Sequence, residues 1–404
     1  MRRLILPALA ALLVLPAGAA KRVTVEQLEQ ALAADSAAHR DDAEAARQLG
    51  ELELSERLTG ATLARFNARR SLGPKAGLAL EMLADQSAFL DPPVSELPAT
   101  AVPDAATQQR MMDAARGYVI QTVPHLIDFF ATRNTIRFDD SPQVLVKGDW
   151  PVRAGLHLAG SSSQEVTFRD GKESRQAVRQ SNSKSASVPQ EQQEKGLNSW
   201  GEFGPALAVV LTDAAKGKTS WSHWEETPAG LAAVFRYSVP RSASHYAVSY
   251  CCVPGAPSSV PLPTIGGLGR GAARSQTSVE PEGAGTHAFS ETPGYHGSLA
   301  VDPATGAILR VTIEAEMKVG SPLTRAATAV EYGRIQIGDR SFVCPVRSVA
   351  VSIEEPRGRL VPGTSVGDWG NSSANPIGAP ALLLNETRFS NYHRMAATAR
   401  VVPS

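Results

Sequence analysis

The chain is poor in cysteine and aromatic residues and carries no net charge. Three cysteines in 404 residues exclude a small scaffold held together by a disulfide framework. No Cys-x-x-Cys occurs, and none of the eight histidines stands in an H-x-x-x-H or H-E-x-x-H pair. A zinc site built from sequence neighbours is therefore excluded, and no metal is expected. Lys and Arg total 40, matching 40 Asp and Glu, so no excess of charge points to nucleic acid or an anionic membrane surface. After residue 20 no apolar run approaches the roughly 20 residues that a spanning helix needs.

Catalytic patterns are present only in the wrong setting. Gly363-Thr-Ser365-Val-Gly367 matches G-x-S-x-G, but Pro362 precedes it and a polar loop follows, whereas the nucleophile elbow needs a strand before and a helix after. Gly267-Leu-Gly269-Arg-Gly-Ala272 lies in a Pro/Gly stretch rather than a βαβ unit. Ser181-Asn-Ser-Lys184 lies in a polar linker with no helix to carry it. No cofactor is implied.

What is present begins with an export signal. Met1-Arg2-Arg3 is cationic, Leu4 to Leu15 is uncharged and apolar, and Ala17-Gly18-Ala19-Ala20 offers small residues ahead of Lys21. That order predicts a signal peptide over residues 1–20, removed on export. No Cys follows the cut, so a lipid anchor is not expected. The expected location is the periplasm or the extracellular space, where nucleotide-dependent chemistry is disfavoured.

Residues 21–132 read as helices. Thr24 with Gln27 forms a capping box, and Val25, Leu28 and Leu32 share a face. Asp41 with Glu44 repeats the box, and the stripe continues through Ala45 and Leu49 to Leu58. Pro74 suits the first turn of another helix, lined by Leu78, Met82, Leu83 and Phe89. A Pro-rich connector leads to a helix from Asp104, with Met111, Ala115, Val119 and Val123 on one side.

After Arg133 the hydrophobic period changes from 3.6 to 2. Residues 133–404 are expected to form an antiparallel β-sheet domain with one or two helices, one of them over Gly204 to Ala215. Asp170-Gly171 closes a hairpin. Thr219 to Glu225, Leu231 to Val239 and His245 to Val253 are strands in series. Hairpins follow at 297–317 and 329–353, and a last strand lies beyond Leu382. Residues 172–198 and 254–293 are rich in Ser, Gln, Gly and Pro, which predicts mobile loops. The fold class is α+β: a helical region, then a curved antiparallel sheet.

The stretches LADQSAFLDPP, FFATRNTIRFDDSPQ, GEFGPALAVVLTDAAKGKTSWSHWE, YHGSLAVDPATGAILRVTIEAEM, SFVCPVRSVAVS and NETRFSNYHRM resemble exported, uncharacterised proteins of acidobacterial soil bacteria. That family has no established activity, so the resemblance carries over no functional residue. The hairpin series from Gly297 to Arg400 also resembles, in layout alone, the curved sheet of periplasmic lipoprotein-carrier proteins, in which a half-open sheet cups an acyl chain. Fold by itself does not imply function.

One site candidate is ligand-binding: Trp221, His223 and Trp224, which could form an aromatic-walled pocket with a base. The alternative is a strand whose tryptophans fill the core while His223 and Glu225 face water. Among the cysteines, Cys251 and Cys252 alternate in facing on a regular strand and cannot easily bond to each other. A Cys252–Cys344 disulfide is sensible outside the cytoplasm. The leading functional expectation is a non-enzymatic binding or carrier module for an apolar or envelope ligand. The alternatives are an adaptor that uses the helical region to bind an envelope protein, and a hydrolase with an unfamiliar site.

Overall fold

A computed structural model describes residues 21–68, 72–140, 155–177, 196–197, 201–254, 286–355 and 382–395. For residues 124, 175–177, 252–254 and 286–287 it describes the backbone alone. The export signal and the three motif matches in loops lie outside the described residues. The chain divides into two compact units between Leu90 and Asp91.

The first unit contains β1 (Lys21–Val23), α1 (Val25–Ala37), α2 (Asp42–Gly50), β2 (Leu52–Leu54), α3 (Gly60–Ala68) and α4 (Pro74–Gln86). Local chemistry sets the helix ends. Thr24 and Gln27 make the reciprocal capping box of α1. Asp41 accepts the Glu44 amide at the start of α2. Asp42 accepts the Lys75 and Ala76 amides at 3.0 and 2.8 Å, which ties α2 to the start of α4. Leu28, Leu49, Phe66, Leu80 and Leu83 form the core. Two expectations are corrected. The helical stripe does not run to Leu58: Leu52–Leu54 is extended and pairs parallel with Lys21–Val23, which supplies the backbone partners a helix would have provided internally. Leu78 is exposed, because Ala76, Ala79, Leu80 and Leu83 form the buried face of α4.

The second unit contains α5 (Ala105–Gln121), β3 (Phe129–Asp139), β4 (His157–Arg169), β5 (Lys172–Ala177), β6 (Gly196–Leu197), α6 (Pro205–Ala214), β7 (Lys218–Thr227), β8 (Gly230–Val239), β9 (Val248–Pro254), β10 (Thr286–Glu291), β11 (Gly294–Val301), β12 (Ile308–Glu316), β13 (Leu323–Ile337), β14 (Arg340–Glu354) and β15 (Leu382–Arg394). The main sheet has ten strands in the order β5-β4-β3-β15-β14-β13-β12-β11-β8-β7, and every ladder is antiparallel. The α+β class is as expected. Helix α5, read from the sequence with the helical region, belongs to the sheet unit. Its Met111, Met112, Ala115 and Val119 share one core with Leu207, Val210 and Leu211 of α6 and with Phe129, Phe235 and Leu299 of the sheet.

The sheet face that bears Phe129 and Phe235 is the inner face. A small sheet, ordered β10-β9-β6, covers another part of it. There Leu197, Val248 and Tyr250 pack on Leu323, Ala326 and Ala350. Composition was misleading at the edges of the two stretches read as mobile. Lys172–Ala177 pairs with β4 through the Asp170-Gly171 turn, whose positive φ values of 50° and 72° suit Asp-Gly. Thr286–Glu291 pairs with β9. In both cases a neighbouring strand supplies the partners that composition does not reveal. The rest of those two stretches lies outside the described residues, apart from Gly196–Leu197. No helix among the described residues is long and apolar enough to cross a membrane.

Candidate functional site

The Trp221, His223 and Trp224 group is split by a bulge. Trp221 pairs with Phe235 and His223 with Val234, which leaves Ser222 as an extra residue. On a regular strand, residues three apart face opposite ways. The bulge instead turns Trp221 and Trp224 to the same inner face. Their rings meet edge to face at 5.0 Å, Trp221 packs on Phe235, and the Trp224 indole donates to the Ala101 carbonyl at 2.8 Å. His223 stands on the other face. There its Nδ1 is 2.9 Å from Ser222 Oγ and its Nε2 is 3.5 Å from Glu225 Oε2. The tryptophans serve the core and are not gathered around the histidine. Neither His223 nor Glu225 faces open water, their side chains being 14% and 11% exposed.

The cysteine expectation is corrected. Cys344 is a free, buried thiol, so Cys252–Cys344 is not formed. Burial pushes that thiol up to about 12, which keeps it protonated and unreactive. Cys251, which the sequence reading left unbonded, is disulfide-bonded.

The register exposes a feature that the sequence did not. One cross-strand row runs over the inner face: Ser162, Thr135, Thr387, Ser348, Val330, Val311, Leu299, Phe235 and Trp221. It is hydroxyl-bearing on β4, β3, β15 and β14, and apolar on β13, β12, β11, β8 and β7. Helices α5 and α6 pack onto the apolar half.

The polar half is organised around Arg133. Its guanidinium donates to Thr135 Oγ1 at 3.0 Å, and the Thr135 and Thr387 hydroxyls lie 2.9 Å apart. Arg133 also lies 3.8 Å from Glu202, and both side chains are almost fully buried. Glu202 is hung inward by the turn before α6. Gly201 at φ 82° and Gly204 at φ 155° adopt conformations that L-residues with side chains rarely reach. The Tyr332 hydroxyl donates to the Glu202 carbonyl at 3.0 Å. Burial first, then the charges of Glu202 and Glu173, hold Tyr332 well above the usual phenol range, so it acts as a neutral donor. Along β14, Ser348 and Ser352 face the same way, each 1% exposed. Neither hydroxyl has a hydrogen-bond partner among the described residues.

A second constellation also escaped the sequence reading. Asp213, at the end of α6 and fully buried, accepts from the His245 amide at 2.7 Å and from the Tyr295 hydroxyl at 3.0 Å, and its Oδ1 lies 2.6 Å from His245 Nδ1. The imidazole is 63% exposed. A carboxylate on Nδ1 fixes the ring's tautomer and leaves Nε2 as the outward-facing nitrogen. The available signal was Asp213 itself, the single charge in an otherwise apolar helix. Among the described residues no group of three His, Cys, Asp or Glu side chains is placed to hold a metal. Comparison with protein-family models, curated proteins and solved structures finds no match to this chain.

Proposed function

We propose that the protein is an exported, non-enzymatic binding or carrier module. Its ligand sits on the inner face of the main sheet, with a polar group among the hydroxyls of β3, β15 and β14. The apolar part of the ligand runs along the neighbouring aromatic side chains Phe129, Phe168, Phe203 and Phe389. The ligand class is amphiphilic, as an envelope lipid or its fragment would be. The observation that carries this reading is the pair Ser348 and Ser352. A buried hydroxyl without a partner costs about 1–3 kcal/mol, and two on one strand face call for an explanation. A bound polar group supplies one. An acyl chain alone is less well supported, because α5 and α6 already fill the apolar half.

The test is native mass spectrometry of the purified protein, followed by solvent extraction. Wild type is expected to carry an amphiphile. Ser348→Ala with Ser352→Ala should lower its retention at least about tenfold. The same double variant should stabilise the ligand-free protein by about 1 kcal/mol, since it removes polar groups left unpaired in that state. Ligand-free wild type that binds no lipophilic dye would sink the proposal.

One observation favours a second reading, a hydrolase: the Asp213-oriented, exposed His245. His245 replaces His223 as the candidate base, because His223 Nε2 is turned to Glu225. In a broad ester and amide hydrolysis screen, His245→Ala should abolish any activity of the wild type while His223→Ala leaves it unchanged. Equal rates for wild type and His245→Ala would remove this reading.

A further inference from the structure

Ser348 and Ser352 are each 1% exposed, so a ligand reaches neither hydroxyl until something over the inner face moves. Ala350 lies midway between them on the same face of β14. Register sets Ala350 in a row with Asn385 of β15 and Thr328 of β13, and Ser352 in the next row with Leu383 and Ala326. The small sheet is seated on these positions. Leu197, Val248 and Tyr250 pack on Ala350 and Ala326. The Asn385 amide donates to the Leu197 carbonyl at 3.3 Å, and the side chains of Thr328 and Tyr246, just ahead of β9, share a hydrogen bond. We propose that the small sheet β10-β9-β6 is a displaceable cover, and that its lifting admits the ligand to Ser348 and Ser352.

The layers over the inner face are held differently. Helices α5 and α6 bury whole faces in the large core. The small sheet presents Leu197, Val248 and Tyr250, with Phe289 and Tyr246 half-buried beside them, to a seat that includes two alanines. Apolar stabilisation follows the area buried, so the small sheet is the layer that costs less to lift. Polar ties complete its hold: the Tyr250 hydroxyl donates to the Glu354 carboxylate, and Arg241 pairs with Glu291 of β10. The two serines work against closure. Under the cover neither hydroxyl has a partner among the described residues, whereas water or a ligand group supplies one when it lifts. Four residues separate them, about 13 Å at roughly 3.3 Å per residue. A ligand that partners both therefore runs along β14 across Ala350, in the place of the cover. The admission of ligand rests on the binding reading above; the lifting does not.

The test places a thiol beneath the cover of the full exported chain, as Ala350→Cys or, separately, Ala326→Cys. Each is alkylated with iodoacetamide without reductant, and its rate is taken relative to the same thiol in the unfolded chain. Either should be at least about tenfold less protected than Cys344, which belongs to the large core. Protection equal to that of Cys344 means exposure by global unfolding alone and overturns the cover. Adding Ser348→Ala with Ser352→Ala should slow the labelling about fivefold, and adding Tyr250→Phe should speed it by a similar factor. A rate that neither change moves overturns the roles given to the serines and to the Tyr250 tie. Admission is read by stopped-flow uptake of a fluorescent amphiphile, which Tyr250→Phe should accelerate about fivefold. Uptake that Tyr250→Phe leaves unchanged overturns the entry route. If no amphiphile binds while Ala350→Cys still labels ahead of Cys344, the binding reading falls and the cover stands.

Discussion

Arg133→Ala is expected to destabilise the sheet unit by about 3–5 kcal/mol, the usual cost of removing one partner from a buried ion pair. The reason is what it leaves behind. Glu202 lies 3.8 Å from the guanidinium and is as deeply buried, so its carboxylate loses its nearby positive charge in a place where water cannot replace it. The Thr135 hydroxyl loses its donor as well. The loss should appear as a lower urea midpoint with an unchanged slope, because the exposed area on unfolding is the same. The companion variant separates charge from volume. Arg133→Met with Glu202→Leu removes both charges and should lose less than Arg133→Ala alone, since paired apolar replacements at buried ion pairs are often close to neutral. If Arg133→Ala falls within about 1 kcal/mol of wild type, the pair behaves like an exposed one, and the polar half of the inner face is wetter than its burial implies.

Ligand retention follows the same logic from the other side. Arg133, Thr135 and Thr387 hold one another, so they form a fixed polar floor. Ser348 sits in the same cross-strand row and stays unpartnered. A floor with one end satisfied and the other open can receive a polar group without first breaking its own bonds. This is why the serines, rather than the arginine, are expected to separate binding from stability.

The elements that were legible in the sequence are those that local chemistry decides. Thr24, Asp41 and Asp104, read as helix starts, each accept the amide three residues on. The Asp170-Gly171 turn and the hairpin between β11 and β12 fall where turn residues interrupt the alternation. The failures are of another kind. A period-2 pattern assigns faces only while the strand is regular, and two bulges defeat it. One at Ser222 brings Trp221 and Trp224 together and sends His223 away. One sets Cys251 and Cys252 together opposite Ala288, so regular alternation does not hold along β9. The hydroxyl row could not be read at all, because Thr135 lies 252 residues from Thr387 and the row meets only through register. Strand order sets that register, and with it which isolated serines and threonines become one surface.

Phe203→Ala is expected to lower stability by about 3–5 kcal/mol, at the upper range for a single core truncation. The ring is the hub through which α6 grips three strands of the main sheet. Its centroid lies 5.5 Å from Phe129 on β3, 6.4 Å from Phe168 on β4, and 5.2 and 6.2 Å from Phe389 and Tyr392 on β15. Truncation removes four aromatic contacts at once, and the turn that carries the ring has little freedom to refill the space. A Cβ at Gly204 would meet Val123 Cγ1 at 2.4 Å, so the chain there is already against its neighbour. Phe203→Leu keeps most of the volume and should cost less than about 1.5 kcal/mol. Urea unfolding followed by tryptophan emission reads both, and a Phe203→Ala loss no larger than that of Phe203→Leu would show that the wall collapses around the gap. Function separates the two variants further. If the aromatic side chains hold the apolar part of the ligand, Phe203→Leu should remain folded yet retain less of it, while Ser348→Ala loses the same ligand by its polar end. Two folded proteins that fail to bind for opposite reasons would place the ligand across the junction of the polar and apolar halves.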